Sequence, residues 1–78
     1  MRDSTKIAID MYAERRMPPG SFVEAVLCNN LKEALGRADD DNLRDIYEIV
    51  KYCYWEIPAN CWGSPQKVKA WLAKEMEV

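Results

Sequence analysis

A chain of 78 residues can form only one small domain, and a domain of this size hides about 60% of the surface that its unfolded form exposes. Its core is therefore marginal unless a disulfide, a metal ion or a second chain adds stability. Three tryptophans, four tyrosines and one phenylalanine supply more large apolar surface than one thin core can easily cover. We therefore expect a single domain over residues 1–78 that associates into a homo-oligomer.

The cysteines form neither a disulfide framework nor a metal site. Cys28, Cys53 and Cys61 are odd in number, and no apolar signal segment opens the chain, so we expect a reducing cytoplasm. The chain has no histidine, and its cysteines lack the close Cys-x-x-Cys spacing typical of zinc sites. We expect no metal ion and no cofactor.

Charge and hydropathy exclude two further classes of partner. The formal net charge of −2 provides no global field that would attract DNA or an anionic membrane. No segment approaches the roughly 20 apolar residues that a helix needs to span a bilayer. We expect a protein that neither binds DNA nor enters a membrane.

The first predicted helix runs from about Thr5 to Arg16, with Asp3 or Ser4 as its N-cap. The prolines of the turn Met17-Pro18-Pro19-Gly20 end it, because the residue before a proline is disfavoured in the helical state. Helical spacing predicts that four residues of this helix share its apolar face, namely Ile7, Ala8, Met11 and Tyr12.

Two capping patterns follow. Ser21 with Glu24 forms a capping box for a helix from Phe22 to about Asn29, with Val23, Val26 and Leu27 facing inward. Asn30 repeats the spacing, so that either a new helix begins at Leu31 or the earlier helix continues with a bend to about Arg37.

The second half of the chain predicts two further helices. Asp39, Asp40 and Asp41 precede an apolar helix from about Asn42 to Glu56, where their negative charge favours a helix start. Ser64-Pro65 then begins a terminal helix with a capping hydroxyl and a proline at the first position. Its predicted apolar stripe is Val68, Trp71, Leu72 and Met76, and its outer face carries Lys67, Lys69 and Lys74. Together the segments predict an all-α fold, a compact bundle of four to five short helices.

The helix over residues 42–56 carries apolar residues on more than one face. Ile49, Tyr52 and Trp55 are its candidate residues for a two-fold oligomer interface. The alternative is that neighbouring helices cover all three within one chain.

The turn before Ser21 is the first candidate ligand site. Gly20 and Ser21 would present free amides and the positive end of a helix dipole, and Arg15 and Arg16 lie just before them. Such a site suits phosphate or carboxylate. The alternative is a stiff turn with an ordinary cap and two solvated arginines.

The loop at Cys61-Trp62-Gly63 is the second candidate. Trp62 could stack on a base or fill a partner's pocket, above the helix start at Ser64 and close to Lys67. The alternative is that Trp62 folds back as a lid on the small core. If both helix starts faced one groove, an anionic nucleotide would be a suitable ligand.

Catalysis is not expected. Without histidine the commonest general base is missing, and capping already explains Ser21 and Ser64. Cys61 lies near a helix start, but no orienting base accompanies it.

Four groups of motifs occur in a fixed order between residues 12 and 71. They are Pro18-Pro19-Gly20-Ser21-Phe22, then Ala25-Val26-Leu27 with Asn29-Asn30-Leu31, then Gly36-Arg37-Ala38-Asp39, and finally Cys61-Trp62-Gly63-Ser64-Pro65 with Trp71. This pattern resembles a family of small proteins encoded by bacteriophages and prophages. Similar sequences often have aspartate where this chain has Asn30, and both residues are N-caps.

The resemblance implies a non-enzymatic accessory protein that acts in the host cytoplasm, but it assigns no activity to particular residues. Two mechanisms are open. In one, the protein counters host defence by sequestering an anionic nucleotide signal. In the other, it is a protein-protein inhibitor or adaptor that covers a host protein surface and binds no small molecule.

Overall fold

The computed structural model describes residues 1–73, and within them it contains helices and no strand. Its elements are α1 (Asp3–Arg15), α2 (Ser21–Leu27), α3 (Leu31–Arg37), α4 (Asp40–Arg44), α5 (Ile46–Glu56), a 3-10 turn (Ala59–Cys61) and α6 (Pro65–Ala73). The predicted all-α class is confirmed. Met76 and Lys74, which the sequence assigns to the terminal helix, lie outside the described residues.

Three of the helices begin where a side chain accepts a hydrogen bond from a backbone amide, as the sequence predicts. The pairs are Asn30 with the amide of Glu33 (3.2 Å), Asp39 with that of Asn42 (2.8 Å) and Ser64 with that of Lys67 (3.2 Å). Each cap satisfies an amide that has no partner inside its own helix. A new helix therefore begins at Leu31, which decides between the two predicted alternatives.

Two predicted caps are wrong. α1 begins at Asp3, so Arg2 precedes the helix, and neither Asp3 nor Ser4 acts as the cap. α2 begins at Ser21, one residue before the predicted start at Phe22, because the carbonyl of Gly20 already accepts a hydrogen bond from the amide of Glu24 at 2.9 Å. Ser21 is therefore inside the helix and cannot cap it.

The predicted helix over residues 42–56 is two helices. Asp39 starts α4 at Asp40, and Asp45 then leaves the helical region, with φ −95° and ψ 6°. The break brings the number of α-helices in residues 1–73 to six, one more than the upper bound of the prediction.

The core lies between α2 and the elements around it. All three predicted inward residues of α2 are buried, and Leu27 is fully so. The largest fully buried side chains come from α1, α2, α5, the 3-10 turn and α6: Ile9, Tyr12, Leu27, Ile49, Cys53, Cys61 and Val68. The loop before α6 is attached to α2 by a hydrogen bond of 2.7 Å from the amide of Gly63 to the carbonyl of Leu27.

The apolar face of α1 is rotated from the predicted one. Thr5, Ile9 and Tyr12 are buried, whereas Ile7 is 58% exposed. Tyr12 joins two distant elements: its hydroxyl donates to the carbonyl of Cys61 at 2.6 Å, and its own carbonyl accepts from the indole of Trp71 at 2.9 Å. This central tyrosine therefore fixes α1 against the 3-10 turn and α6.

No helix within residues 1–73 is long and apolar enough to cross a membrane.

Candidate functional site

The outer side of α4 and α5 carries a row of exposed apolar side chains, which we name the apolar stripe. Its members are Leu43 (49% exposed), Tyr47 (77%), Val50 (41%) and Tyr54 (67%). Within α5, the spacing of three and four residues places Tyr47, Val50 and Tyr54 on one face. Leu31 of α3 borders the same surface, since it lines a small hollow together with Val50.

The opposite side of α5 faces the core. Ile49 and Cys53, four residues apart, are fully buried. The prediction that Ile49 belongs to an oligomer interface is therefore wrong, because the chain's own core already covers it. Tyr52 is half-buried and its hydroxyl donates to Asp10, so it packs towards α1. Of the three predicted interface residues, Trp55 is the exposed one, at 70%.

Trp55 and Trp62 line one furrow beside the stripe, which we name the tryptophan furrow. It has a volume of about 450 Å³ and is lined by Tyr54, Trp55, Ala59, Trp62 and Lys67. The rings of Tyr54 and Trp55 meet edge to face, with centroids 5.0 Å apart and planes at 80°. Trp62 is half-buried and packs against the core, as the alternative reading expected, and it also lines the furrow.

Lys67 is placed in this furrow by the start of α6. Its ammonium donates to the carbonyl of Ala59 at 3.3 Å, and its backbone amide binds the Ser64 hydroxyl. The structure therefore brings together Trp62, Lys67 and Trp55, which the sequence assigned to two separate sites.

The starts of α2 and α6 open onto a different groove, which has a volume of about 440 Å³. Ser21 and Pro65 both line it, as expected if the two helix starts face one groove. Its charged lining residues, however, are Glu24, Glu33 and Arg37, and Arg37 is paired with Glu33 at 3.0 Å. Two carboxylates and one guanidinium leave this groove with a formal charge of −1, which disfavours phosphate.

The two predicted loop arginines lie outside both of these grooves. The guanidinium of Arg16 stacks over the ring of Trp71 at 3.6 Å and donates to the carbonyl of that residue at 3.3 Å. Arg16 also has a left-handed backbone, with φ 56° and ψ 32°, which ends α1. Arg15 is exposed. The role of Arg16 is therefore to hold the end of α1 against α6.

Replacing Arg16 with alanine should lower the free energy of unfolding by about 1 kcal/mol, because a stacked guanidinium and its hydrogen bond are lost. Arg15→Ala is the matched control and should change stability by less than about 0.5 kcal/mol. Urea denaturation followed by circular dichroism measures both. Equal effects of the two substitutions would argue against a structural role specific to Arg16.

The three cysteines are poor nucleophiles. Burial raises the pKa of the Cys53 thiol to about 12, with a further contribution from Cys61. Burial also raises the pKa of Cys61, and burial together with Glu24 raises that of Cys28. Since the thiolate is the reactive form, none of these thiols is activated at neutral pH.

The raised pKa of Cys53 makes stability depend on alkaline pH. The thiol of the unfolded chain ionises near its ordinary value of 9.0, whereas that of the folded chain ionises near 12. The unfolded chain therefore releases the proton first, so the free energy of unfolding should decrease as pH rises from about 9 to about 12. Urea midpoints measured across this range should decrease less steeply in Cys53→Ala than in the native chain. Equal slopes would contradict the burial of this thiol.

Within residues 1–73, no group of three or more cysteine, aspartate or glutamate side chains could hold a metal ion. Comparisons with protein-family models, with curated proteins and with solved structures give no match. The two surfaces around α5 are therefore the features of the described residues from which a function is inferred.

The apolar stripe was not predicted from the sequence, although its signal is present there. Leu43, Tyr47, Val50 and Tyr54 recur at helical spacing, but the alternative row through Ile49 and Cys53 is equally regular. Only the position of α5 on the core shows which row is covered.

Proposed function

We propose that this chain is a non-enzymatic accessory protein of a bacteriophage or prophage, which acts in the host cytoplasm by binding another protein. The phage origin is supported by the ordered motifs from Pro18-Pro19-Gly20 to Trp71. The non-enzymatic character is supported by the lack of histidine and by the raised pKa values of the thiols.

The apolar stripe is the single observation that carries the binding mode. Two tyrosines more than 60% exposed, with Val50 between them on the same face of α5, present apolar side chains to solvent on a very small chain. Surfaces of this kind mark protein-protein contacts, and aromatic residues dominate the energy of such contacts. A stripe of helical side chains also suits a second helix laid along it.

A second copy of the chain is the first partner that this surface fits. A helix face that is apolar along its length can pair with itself around a two-fold axis, which buries the same residues on both sides. Trp55 lies at the edge of the stripe next to Tyr54, where it would extend the contact. We therefore propose a homo-oligomer built on α4 and α5.

Affinity capture from a host lysate tests whether a host protein also binds the apolar stripe. The native chain and a Tyr47→Lys, Val50→Lys variant are immobilised in equal amounts. A host protein that the native chain retains and the variant loses would support the proposal. Host proteins retained equally by both would contradict a role of the stripe in host binding.

Sequestration of a nucleotide signal is the second candidate function. It is favoured by the presence of Trp62 and Lys67 in one furrow, where a base could stack and a phosphate could meet an ammonium. It ranks behind protein binding because Arg16 is already engaged with Trp71 and the helix-start groove contains two carboxylates.

Thermal melts against a panel of nucleotides test this candidate directly. A ligand that binds only the folded chain raises its melting temperature by mass action. A rise with one nucleotide that is lost in Lys67→Gln would favour sequestration. No rise with any member of the panel would count against it.

A further inference from the structure

The exposed apolar surface extends beyond the apolar stripe onto α3. Apart from Ile7 and Met17, the large apolar side chains exposed within residues 1–73 all lie on α3, α4 and α5. Leu31 and Leu35 of α3 are 66% and 45% exposed and, being four residues apart, lie on one side of that helix. Leu31 and Val50 line the same hollow, so this side of α3 lies next to the stripe.

The area of this surface matches what a second copy needs. At about 200 Å² for one fully exposed large side chain, the four members of the stripe expose roughly 500 Å². A specific interface buries about 800 Å² on each partner, so the stripe alone falls short. Adding Leu31, Leu35 and Trp55, whose ring contacts Tyr54, brings the exposed apolar area to roughly 800 Å². A stable contact between copies therefore needs α3 as well as α4 and α5.

The hollow between α3 and α5 has room for the end of one side chain. Its volume is about 70 Å³. Sites for small molecules are far larger, at roughly 300–1,000 Å³. The apolar lining comes from α2, α3, α5 and the loop before α6: Val26, Leu31, Ala34, Ile46, Val50 and Trp62. Asn29 and Asn30 complete the lining, and none of these residues is charged. The hollow therefore suits a side chain with an apolar body and a polar tip.

Tyr47 has these properties and is itself uncovered. It is 77% exposed, the highest value among the large apolar side chains of residues 1–73. Its ring is apolar, and its hydroxyl can exchange a hydrogen bond with an asparagine amide. Exposed aromatic side chains that enter a pocket on the partner provide much of the binding energy of protein interfaces. Tyr47 does not line the hollow of its own chain, although its neighbour Ile46 does.

We infer that, when two copies associate, Tyr47 of each copy enters the hollow of the other. In a two-fold contact, a residue that meets a site on the partner has the same site of its own chain met in return. Tyr47 and the hollow are neighbours along α5, so both insertions lie near the axis and bring α3 of each copy into the contact. This inference rests on the proposed function and deepens it, because it names the side chain that fills the hollow and adds Leu31 and Leu35 to the interface.

Contacts between copies can be observed directly by NMR in a mixture of ¹³C-labelled and unlabelled native chain. Nuclear Overhauser effects filtered for pairs of one labelled and one unlabelled copy report protons that are close across the interface. We expect such signals between the ring of Tyr47 and the methyl groups of Leu31 and Ala34. Signals from Tyr47 to residues of α5 alone would overturn this inference and leave the proposed interface at the stripe intact.

Variants of α3 give a second, independent readout. Leu31→Lys with Leu35→Lys should weaken self-association at least about tenfold, because both side chains would be covered in the contact. Ile7→Lys with Met17→Lys is the matched control, since it also replaces two exposed apolar side chains with lysine but lies on the other exposed apolar positions, outside α3 to α5. This control should associate like the native chain. Sedimentation equilibrium measures association, and circular dichroism checks that each variant is folded.

The outcomes distinguish this inference from the proposed function. Weakening by Tyr47→Lys with Val50→Lys, but none by Leu31→Lys with Leu35→Lys, would overturn only the insertion into the hollow. A native chain that stays monomeric would overturn both. Signals at Leu31 and Ala34 that change only when a host protein binds would assign the hollow to that protein and overturn the inference.

Discussion

Tyr12→Ala is expected to lower the free energy of unfolding by about 4 kcal/mol. A chain of 78 residues has a total stability of roughly 4–12 kcal/mol, so this single change would remove between about a third and all of it. Tyr12 is fully buried, and its hydroxyl and carbonyl bind Cys61 and Trp71. The substitution removes the ring from the core and leaves the Cys61 carbonyl without its donor. Urea denaturation followed by circular dichroism measures the loss.

Two control variants test whether the loss comes from the buried ring of Tyr12. Tyr12→Phe keeps the ring and removes only the hydroxyl, so it should lower stability by about 1–2 kcal/mol. Ile7→Ala changes a side chain that is 58% exposed and should have an effect below about 0.5 kcal/mol. A loss at Ile7 as large as that at Tyr12 would contradict the observed face of α1 and favour the face predicted from sequence.

Replacing Tyr47 and Val50 together with lysine is expected to weaken self-association at least about 100-fold. Both side chains lie in the apolar stripe and are exposed in the isolated chain, so their loss should change the folding stability little. A two-fold interface would place these lysines opposite each other, where desolvation and like-charge repulsion both oppose binding.

A matched variant controls for the added charge. Gln66→Lys with Ala73→Lys adds the same two positive charges to the exposed side of α6, away from the stripe. This variant should associate like the native chain. Equal weakening by both pairs would indicate a general effect of net charge and not an interface at the stripe.

Local chemistry made several helix starts predictable. Asn30, Asp39 and Ser64 each cap a helix through a hydrogen bond three residues along the chain, a spacing that is visible in the sequence. Ser21 has the same pattern and does not cap, because the backbone at Gly20 already begins the helix. Side-chain spacing thus predicts a cap only where the backbone leaves the amide free.

The faces of the helices were much harder to predict. α1 and α5 carry apolar residues on several sides, so helical periodicity permits more than one buried face. Ile7 and Ile49 were both assigned to the wrong environment for this reason, the first as inward and the second as an interface residue. Their true environments depend on contacts with segments far away along the chain.

The candidate site was predictable only in fragments. The sequence places Trp62 near Lys67 because they flank the same helix start. It cannot bring Trp55 to the same furrow, since that contact depends on how the chain turns after Pro58. The stacking of Arg16 on Trp71 joins residues 55 positions apart, so the sequence suggested a free arginine where the structure has a fixed one.

Sedimentation equilibrium at micromolar concentration tests the central claim, that the apolar stripe is an interface between copies of this chain. We expect the native chain to have at least twice the monomer mass of 9.1 kDa, and the Tyr47→Lys, Val50→Lys variant to have the monomer mass. A native chain that stays at 9.1 kDa up to about 100 μM, well above the Kd of a specific dimer, would contradict it.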